Sequence, residues 1–310
     1  MKICLIGGAG FIGTNLAIHL SQTDEVTVID RDEKFFTTLK SLNLPIHYKV
    51  ASFDINSDFN SQVEGQDIVY HLASTVIPGN SNYDIGAELD ANVIVTCHLL
   101  DACVRQGIKK VVFISSGGAI YGKKGTCPIQ EDMVTYPISS YGVQKLAIEK
   151  LLYLYRYQKD LDYRIIRLAN PYGPYQRPNG KLGVVTTFVY KALTSGRLEV
   201  YGDGTVVRDF IYIEDAIRGI LKIVNGENDI RVFNLGSGKG TSINQVIEAI
   251  HTTIRSDLAV EYIAGRTTDV PVNYLDISRY EGIYGKLDPL SLEDGIKKTA
   301  EFMKQNGMLK

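Results

Sequence analysis

A tyrosine and a lysine four residues apart, Tyr141 and Lys145, form the pair of side chains in this sequence best suited to proton transfer. They open a long helical pattern that reaches Tyr157, and residues four apart share one helix face. A phenol with a pKa of about 10 is a poor base at neutral pH, but an adjacent ammonium favours the phenolate. The spacing therefore predicts an acid/base pair, the ordinary alternative being a packed ring beside a solvated charge.

A glycine-rich loop near the start of the chain predicts a dinucleotide site. The apolar run Ile3 to Ile6 leads into the G-x-x-G-x-x-G loop from Gly7 to Gly13, and a helical pattern follows. Glycines let the backbone approach a pyrophosphate, which the helix N-terminus attracts. The second strand ends at Asp30, about 20 residues past the loop, where a carboxylate can bind both ribose hydroxyls. We therefore expect NAD rather than NADP, although Arg31 could accommodate a 2'-phosphate.

Strands and helices must alternate to position this loop and this pair. Short, continuously apolar runs, typical of strands buried on both faces, occur at 3–6, 26–29, 46–50, 68–72, 111–114 and 163–168. Helix-period segments separate them, and this alternation predicts an α/β fold with a Rossmann-type, doubly wound parallel sheet.

The pattern changes after about Pro171, where prolines and glycines interrupt the periodicity. Beyond it the sequence predicts helices near 184–195 and 243–254 and strands near 210–213 and 232–235. We expect an NAD-binding domain over residues 1–170 and a smaller α/β substrate-binding domain over 171–310, with some segments returning to the first domain.

Charge and composition argue against several classes of protein. The formal net charge is −2, from 33 basic and 35 acidic residues, so no basic surface for nucleic acid or anionic membrane is indicated. The four cysteines lack metal-site or redox spacing, and no apolar run approaches the ~20 residues of a membrane span. With no signal-peptide pattern, we expect a cytoplasmic protein without a metal.

Further motifs accompany the loop and the tyrosine–lysine pair. They are Asp54-Ile55, His71-Leu72-Ala73, Asn92, Tyr121-Gly122, Asn170-Pro171, Arg208-Asp209-Phe210 and Gly265-Arg266. With these motifs, the chain resembles the UDP-glucose 4-epimerase group of extended short-chain dehydrogenases/reductases from residue 1 to about residue 300. The resemblance implies an NAD-dependent nucleotide-sugar epimerase that acts through a transient 4-keto sugar.

The resemblance also implies the site residues. Those expected around NAD are Gly7, Gly10, Phe11, Ile12, Gly13, Asp30, Arg31, Asp54, Ile55, Leu72, Ala73, Ser74, Asn92, Ser115, Tyr141, Lys145 and Pro171. Those expected at the UDP-sugar are Gly117, Asn170, Arg208, Arg266 and Asn273. The two arginines would bind the diphosphate, since a guanidinium presents paired donors to phosphate oxygens. For Arg208, a surface ion pair with Asp209 is the alternative.

Two positions depart from the family pattern. The family usually has Ser or Thr where this chain has Gly117, so we expect Ser116, or an ordered water, to assist Tyr141 and Lys145 in catalysis. Hexose-only epimerases tend to carry a tyrosine where this chain has Asn273, and the smaller side chain leaves room for a 2-acetamido group. UDP-N-acetylhexosamine thus joins UDP-glucose and UDP-galactose as an expected substrate, unless Asn273 simply faces solvent.

Other functions stay open at this stage. A nucleotide-sugar 4,6-dehydratase would need an Asp-Glu pair where this chain has Gly118-Ala119, and a 4-ketose reductase would share the same oxidation chemistry. A non-catalytic NAD-binding sensor would not need the tyrosine–lysine pair. The helix from Tyr141 to Tyr157 carries more apolar surface than one stripe requires, which predicts a homodimer, as in relatives.

Overall fold

A seven-stranded parallel sheet is the largest element of the computed structural model, which describes residues 1–76, 81–123, 126–178, 183–265 and 270–309. In spatial order its strands are β3 (Ile46–Val50), β2 (Glu25–Asp30), β1 (Lys2–Ile6), β4 (Ile68–His71), β5 (Lys110–Ser116), β6 (Tyr163–Leu168) and β11 (Val232–Leu235). The order reverses between β1 and β4, and ligands of open α/β sheets bind outside the carboxyl ends of the strands at such a point. The predicted Rossmann-type α/β fold is confirmed.

The burial of the strands explains why their sequences are continuously apolar. All four residues of β4 and all six of β6 are buried, whereas in β3, at the edge of the sheet, only the first residue is buried. A strand covered by helices on both faces has no solvent-facing side for polar residues. The six strands predicted in the first half of the chain agree with β1 to β6 to within two residues at each end.

The helices near this sheet position the candidate site. They are α1 (Phe11–Leu20), α2 (Thr37–Ser41), α3 (Phe59–Val63), α4 (Ile85–Leu89), α5 (Val95–Arg105) and α6 (Ser140–Lys159), with a 3₁₀ turn at Glu33–Phe36 and a π-helical turn at Asp90–Ile94. Buried residues of α3, α5 and α6, among them Leu99 and Leu152, share one apolar cluster with the interior of the sheet. This cluster fixes α6 against β5.

The chain divides into two compact units that differ from a single cut at residue 170. The first comprises Met1–Ile120, Pro137–Arg167 and Val224–Phe233, and the second comprises Tyr121–Tyr136, Leu168–Ile223 and Asn234–Lys310. The strand predicted near 232–235 forms as β11, which extends the large sheet beside β6, and its first two residues belong to the first unit. Only long-range pairing reveals this placement, because an apolar strand has the same sequence pattern in either sheet.

The second unit contains the remaining elements. They are β7 (Asn170–Tyr172), α7 (Val184–Leu193), β8 (Arg197–Tyr201), β9 (Val207–Arg208), β10 (Phe210–Tyr212), α8 (Ile213–Asn225), β12 (Thr241–Ser242), α9 (Ile243–Thr253), β13 (Ala259–Ile263), β14 (Val272–Asn273), α10 (Ser278–Tyr284) and α11 (Leu292–Gln305), with the end of α8 in the first unit. Its apolar core lies between α7, α9 and α11, and β9 pairs with both β12 and β14. The helices and the strand predicted at 184–195, 243–254 and 210–213 form as α7, α9 and β10.

Neither a membrane span nor a metal site was expected from the sequence. Across 1–76, 81–123, 126–178, 183–265 and 270–309, no helix is long and apolar enough to cross a bilayer. Over the same ranges, no cluster of three or more His, Cys, Asp or Glu side chains could hold a metal ion.

The apolar cluster under α5 and α6 predicts the effect of a truncation. Leu99 is fully buried in that cluster, so Leu99→Ala should lower the free energy of unfolding by about 2–5 kcal/mol. The neighbouring His98 is exposed, and His98→Ala should change it by no more than about 0.5 kcal/mol. Denaturant unfolding of both variants measures the difference, and equal stabilities would contradict this packing.

Candidate active site

The first glycine turns the chain sharply out of β1. Gly7 has a φ of +74°, and its N–H and that of Gly8 donate to the carbonyl of Ile29 at 2.9 and 3.1 Å. A Cβ on Gly7 would lie 2.7 Å from the Cα of Ala73. Glycine is required here both by the positive φ and by the close approach of the chain that follows β4.

The N-terminus of α1 fits a phosphate group. A Cβ on Gly13 would lie 2.3 Å from the carbonyl oxygen of Gly8, so this glycine packs the helix onto the loop. Gly10, the N-cap, is exposed, and a Cβ there would meet only the carbonyl oxygen of Gly7, at 3.6 Å. Among the described residues no side chain caps the helix, so the N–H groups of its first turn, which includes Phe11 and Ile12, have no side-chain acceptor there.

Asp30 ends β2 beside this loop. One oxygen of its carboxylate accepts from the N–H of Ala9 at 3.2 Å, and the other accepts from the N–H of Arg31 at 2.9 Å. Each oxygen keeps a further lone pair for a ribose hydroxyl. The guanidinium of Arg31 lies over the ring of Phe35, 5.5 Å from its centroid. The loop, the uncapped helix and Asp30 together fit an adenosine dinucleotide.

The residues expected at the adenine and at the centre of the cofactor follow β3 and β4. Asp54 and Ile55 lie in an exposed turn after β3, in which the carboxylate of Asp54 accepts from the N–H of Asn56 at 2.9 Å. Leu72 and Ala73 are half-buried directly after β4. Ser74 follows them, with its hydroxyl donating to the carbonyl of Val76 at 2.7 Å.

Asn92 is engaged within the protein. It is buried in the π-helical turn, where its carboxamide accepts from the N–H of Thr75 at 2.9 Å and donates to the hydroxyl of Thr75 at 2.7 Å. Its Nδ2 also donates to the carbonyl of Glu88 at 3.0 Å. The side chain therefore orders the loop after β4, and the π-helical turn presents it to that loop.

Hydrogen bonds from residues that were not predicted from the sequence fix the first turn of α6. Asn82 accepts from the N–H of Ser140 at 2.7 Å, and the hydroxyl of Ser139, the N-cap, accepts from the N–H of Gly142 at 3.2 Å. A Cβ on Gly142 would lie 2.6 Å from the carbonyl oxygen of Ala119, in the loop after β5. These contacts set the position at which Tyr141 enters the helix.

Lys145 reaches from α6 to β5. It is 7% exposed, its Nζ donates to the carbonyl of Ile114 at 2.9 Å, and the same atom lies 4.6 Å from the ring centroid of Phe113 and 5.7 Å from that of Tyr141. Burial lowers the pKa of Lys145 to about 8, while the Glu149 carboxylate raises it. The ammonium and the phenol therefore lie on one side of the helix, as their spacing predicts.

Tyr141 lies beside Ser116. Burial raises the pKa of Tyr141 to about 12, and a hydrogen bond with the Ser116 hydroxyl opposes that rise. The phenol thus needs further positive charge nearby before it can act as a base close to neutral pH. Ser116 and the buried Gly117 follow one another where β5 ends, so a hydroxyl is available one residue before the departure from the family pattern.

Ser115, expected beside the cofactor, also contacts a carboxylate within the protein. It is buried, and its hydroxyl donates to the carboxylate of Glu149 at 2.5 Å. Glu149 also pairs with Arg167 on β6, with an Nη2 to Oε2 distance of 2.7 Å. Neither residue of this ion pair was predicted from the sequence. The signal for Glu149 was available, because the spacing of four from Tyr141 to Lys145 continues to it.

Of the residues expected at the sugar nucleotide, Gly117 lies in the first unit, and Asn170, Arg208 and Asn273 lie in the second. Asn170 and Pro171 open β7, and the carboxamide of Asn170 donates to the carbonyl of Asp209 at 2.9 Å. Arg208 on β9 is paired in register with Asn273 on β14, which brings these two side chains onto adjacent strands. Arg266, the second expected arginine, lies outside the described residues.

Two alternatives for these residues are wrong. Asp209 is fully buried, and its carboxylate accepts from the N–H groups of Ser237 and Leu275 at 2.7 and 3.2 Å, so it is not the surface partner of Arg208. Asn273 is 2% exposed and does not face solvent. Within the part of the chain that the structure describes, its Nδ2 has no hydrogen-bond partner, which leaves a buried donor for a ligand.

The contrast between two glycines predicts separable effects on binding and stability. Gly10→Ala should stay within about 1 kcal/mol of the parent free energy of unfolding, since its φ of −79° suits alanine. It should weaken NAD binding at least about tenfold, because the methyl group enters the space in front of α1. Gly13→Ala should lower the free energy of unfolding by about 1–3 kcal/mol. Calorimetric titration measures the NAD affinity of each variant, and denaturant unfolding measures its stability. An NAD affinity of Gly10→Ala equal to that of the parent would refute the binding of the pyrophosphate in front of α1.

Comparisons with known proteins agree with this geometry. The profile of the NAD dependent epimerase/dehydratase family matches residues 3–236. A putative UDP-glucose 4-epimerase of Methanocaldococcus jannaschii is 32% identical over 308 residues, which cover 98% of this chain and 99% of the relative.

Solved structures give the same result. The UDP-glucose 4-epimerase of Thermotoga maritima, crystallised with UDP-glucose, superposes with a TM-score of 0.90 at 31% identity and 99% coverage of both chains. The UDP-glucuronic acid 4-epimerase of Bacillus cereus, crystallised with UDP-glucuronic acid and NAD, gives 0.89 at 28% identity, with 99% of this chain and 100% of the other covered. NAD, the cofactor expected from the glycine loop and Asp30, is thereby confirmed at the level of the family. This chain belongs to the NAD dependent epimerase/dehydratase family, as its motifs predicted.

Proposed function

We propose that the chain is an NAD-dependent 4-epimerase of UDP-hexoses. The observation that carries the proposal is the arrangement at the end of β5, where the Tyr141 phenol meets the Ser116 hydroxyl and Lys145 is held beside it. The glycine loop and Asp30 belong to the same unit and fit the dinucleotide that the reaction requires. The family relatives that are named as UDP-sugar 4-epimerases support the substrate class.

The charges and hydroxyl groups at the end of β5 give Tyr141, Lys145 and Ser116 separate proposed roles. Tyr141 takes the proton of the sugar 4-hydroxyl and returns it after the sugar has turned over. When bound, NAD supplies the hydride chemistry, by accepting the hydrogen of carbon 4 and returning it to the opposite face of a transient 4-keto sugar. Lys145 adds the positive charge that Tyr141 lacks in its buried position, and it orients the nicotinamide ribose. Ser116 supplies the hydroxyl that Gly117 cannot.

The second unit is proposed to bind the UDP portion of the substrate. Arg208 and Arg266 would hold the diphosphate, and Asn170 would contact the sugar nucleotide. Strong binding of the nucleotide leaves the sugar free to turn, as epimerisation at carbon 4 requires. The buried, unpaired Nδ2 of Asn273 supports a contact with the ligand, and its small side chain extends the expected substrates to UDP-N-acetylhexosamine beside UDP-glucose and UDP-galactose.

A substrate panel tests this function. Purified protein should interconvert the 4-epimers of at least one UDP-sugar without added reductant, as read by NMR of the products. Tyr141→Phe should lower kcat at least about 100-fold, because no other group replaces the phenolic proton acceptor. Tyr157→Phe, which removes only the hydroxyl of a tyrosine that is 80% exposed near the other end of α6, is the matched control and should leave turnover unchanged. A 4-keto-6-deoxy product would indicate a dehydratase instead, and full turnover by Tyr141→Phe would reject the assignment of the base.

We also propose that the protein is a cytoplasmic homodimer. All four cysteines fall within the described ranges and are free thiols, as is usual in a reducing compartment. On α6, Tyr153, Leu154 and Tyr157 are 62%, 43% and 80% exposed, an apolar face that a second copy would cover.

The mass of the protein in solution tests the proposed dimer directly. Sedimentation should give about twice the chain mass of 34.4 kDa at micromolar concentration, and Tyr157→Lys should shift the equilibrium toward the monomer by placing a charge on the proposed interface. Glu248→Lys, on the exposed face of α9, is the control and should sediment like the parent. A parent protein that sediments as a monomer would rule the interface out.

A further inference from the structure

We propose that Glu149 is a positioning residue that keeps Lys145 charged and holds it against β5, an assignment that rests on the proposed function of Tyr141 and Lys145. Its carboxylate accepts hydrogen bonds from the Ser115 hydroxyl and from the Arg167 guanidinium. It acts through Lys145, one helical turn earlier on α6.

The geometry of α6 and β5 leads to this assignment. Tyr141, Lys145 and Glu149 follow one another at a spacing of four, so they form a line along one side of the helix. Each meets the end of β5, where Ser116 contacts the phenol, the carbonyl of Ile114 accepts from the ammonium, and the Ser115 hydroxyl donates to the carboxylate. Because Ser115 and Ser116 are adjacent, the Glu149 contact fixes the same strand segment that carries the partner of Tyr141.

Arg167 holds the carboxylate in place. Its Nε donates to both oxygens of Glu149 at 3.1 and 3.2 Å, and its Nη2 donates to Oε2 at 2.7 Å. The two side chains are 6% and 3% exposed. A buried ion pair of this kind is weak support for stability, because its desolvation cost offsets the Coulomb attraction. An apolar pair could fill the space, whereas only a carboxylate can stabilise the neighbouring ammonium.

The charges around Lys145 show why the carboxylate matters. From α6 it faces Glu149 and the neutral phenol of Tyr141, and β5 contributes a carbonyl and an aromatic ring. His71 on β4 is kept neutral, because burial and, to a smaller extent, the charge of Lys145 lower its pKa to about 3. Arg167 on β6 adds a second buried cation to the cluster. Among these described neighbours, Glu149 carries the negative charge that opposes the deprotonation of Lys145.

Competitive labelling of amines measures the prediction on the whole chain without substrate. The protein is acetylated in trace amounts over a range of pH, and the peptide that carries Lys145 is quantified by mass spectrometry. The midpoint for Lys145 should lie near the pKa of about 8 in the parent. In Glu149→Gln it should fall by about one pH unit, because the ammonium loses its neighbouring anion.

Two further variants complete the test: a control that should not change the labelling midpoint of Lys145, and a variant that should shift it in the opposite direction. Asp162→Asn removes another carboxylate paired with arginine, 2.7 Å from Arg231, and should leave the Lys145 midpoint unchanged. Arg167→Gln removes the neighbouring cation and should raise the midpoint, which keeps the proposal testable if Glu149→Gln fails to fold. An unchanged Lys145 midpoint in the soluble variants, or shifts of equal size in Asp162→Asn, would overturn the role of Glu149.

Measurements of turnover distinguish a failure of the Glu149 proposal from a failure of the proposed epimerase function. In Glu149→Gln, kcat should fall more at about pH 9 than at about pH 6, with KM for the sugar nucleotide within about twofold of the parent. A parent protein that converts no UDP-sugar but shows the opposite midpoint shifts of the two variants would reject the proposed function and support the charge role of Glu149. Loss of kcat equal at both pH values would indicate a structural role and overturn the proposal.

Discussion

The packing of one face of α6 against the carboxyl end of β5 is the constraint on which the site depends. Lys145 and Glu149 bind the main chain of Ile114 and the side chain of Ser115, and Tyr141 meets Ser116. The apolar cluster shared by α3, α5 and α6 holds the helix at the distance these contacts need. Because the Glu149 contact is made by the side chain of Ser115, a slip of the strand by one residue would turn that hydroxyl to the other face of the sheet.

Burial gives the site its electrostatic character. The desolvation that raises the pKa of Tyr141 also lowers that of Lys145, so the unliganded protein holds a neutral phenol beside an ammonium that is easily neutralised. Catalysis needs the phenolate of Tyr141 and the ammonium of Lys145, so nearby charges must favour these two states. Such charges act strongly here, because the protein interior screens them weakly. Glu149 favours the ammonium, and the oxidised nicotinamide would favour the phenolate. Catalytic capacity is thus expected only when the cofactor is bound, which limits unproductive chemistry without it.

The dinucleotide part of the site depends on the absence of side chains. Gly7 and Gly13 are needed for close packing within the protein, whereas Gly10 leaves space in front of α1. The first and last glycines of the motif thus serve close packing, whereas the middle one keeps open the space that the proposed binding of NAD would use. The neighbouring loop after β4 is ordered by Asn92, so the cofactor edge of the sheet is built largely from backbone held by a few buried amides and hydroxyls.

The sequence alone determined the alternating strands, the glycine loop with Asp30, the tyrosine–lysine spacing and the family, because each is encoded in periodicity or in residues close together along the chain. Tertiary structure decided the rest. Glu149, Arg167 and Ser115 come from three separate elements, and β11 joins the large sheet only through pairing with β6. The burial of Asn273 and of Asp209 likewise depends on strands distant in sequence. Such long-range contacts leave no local pattern, since a buried polar residue and an exposed one look alike until the elements that cover them are in place.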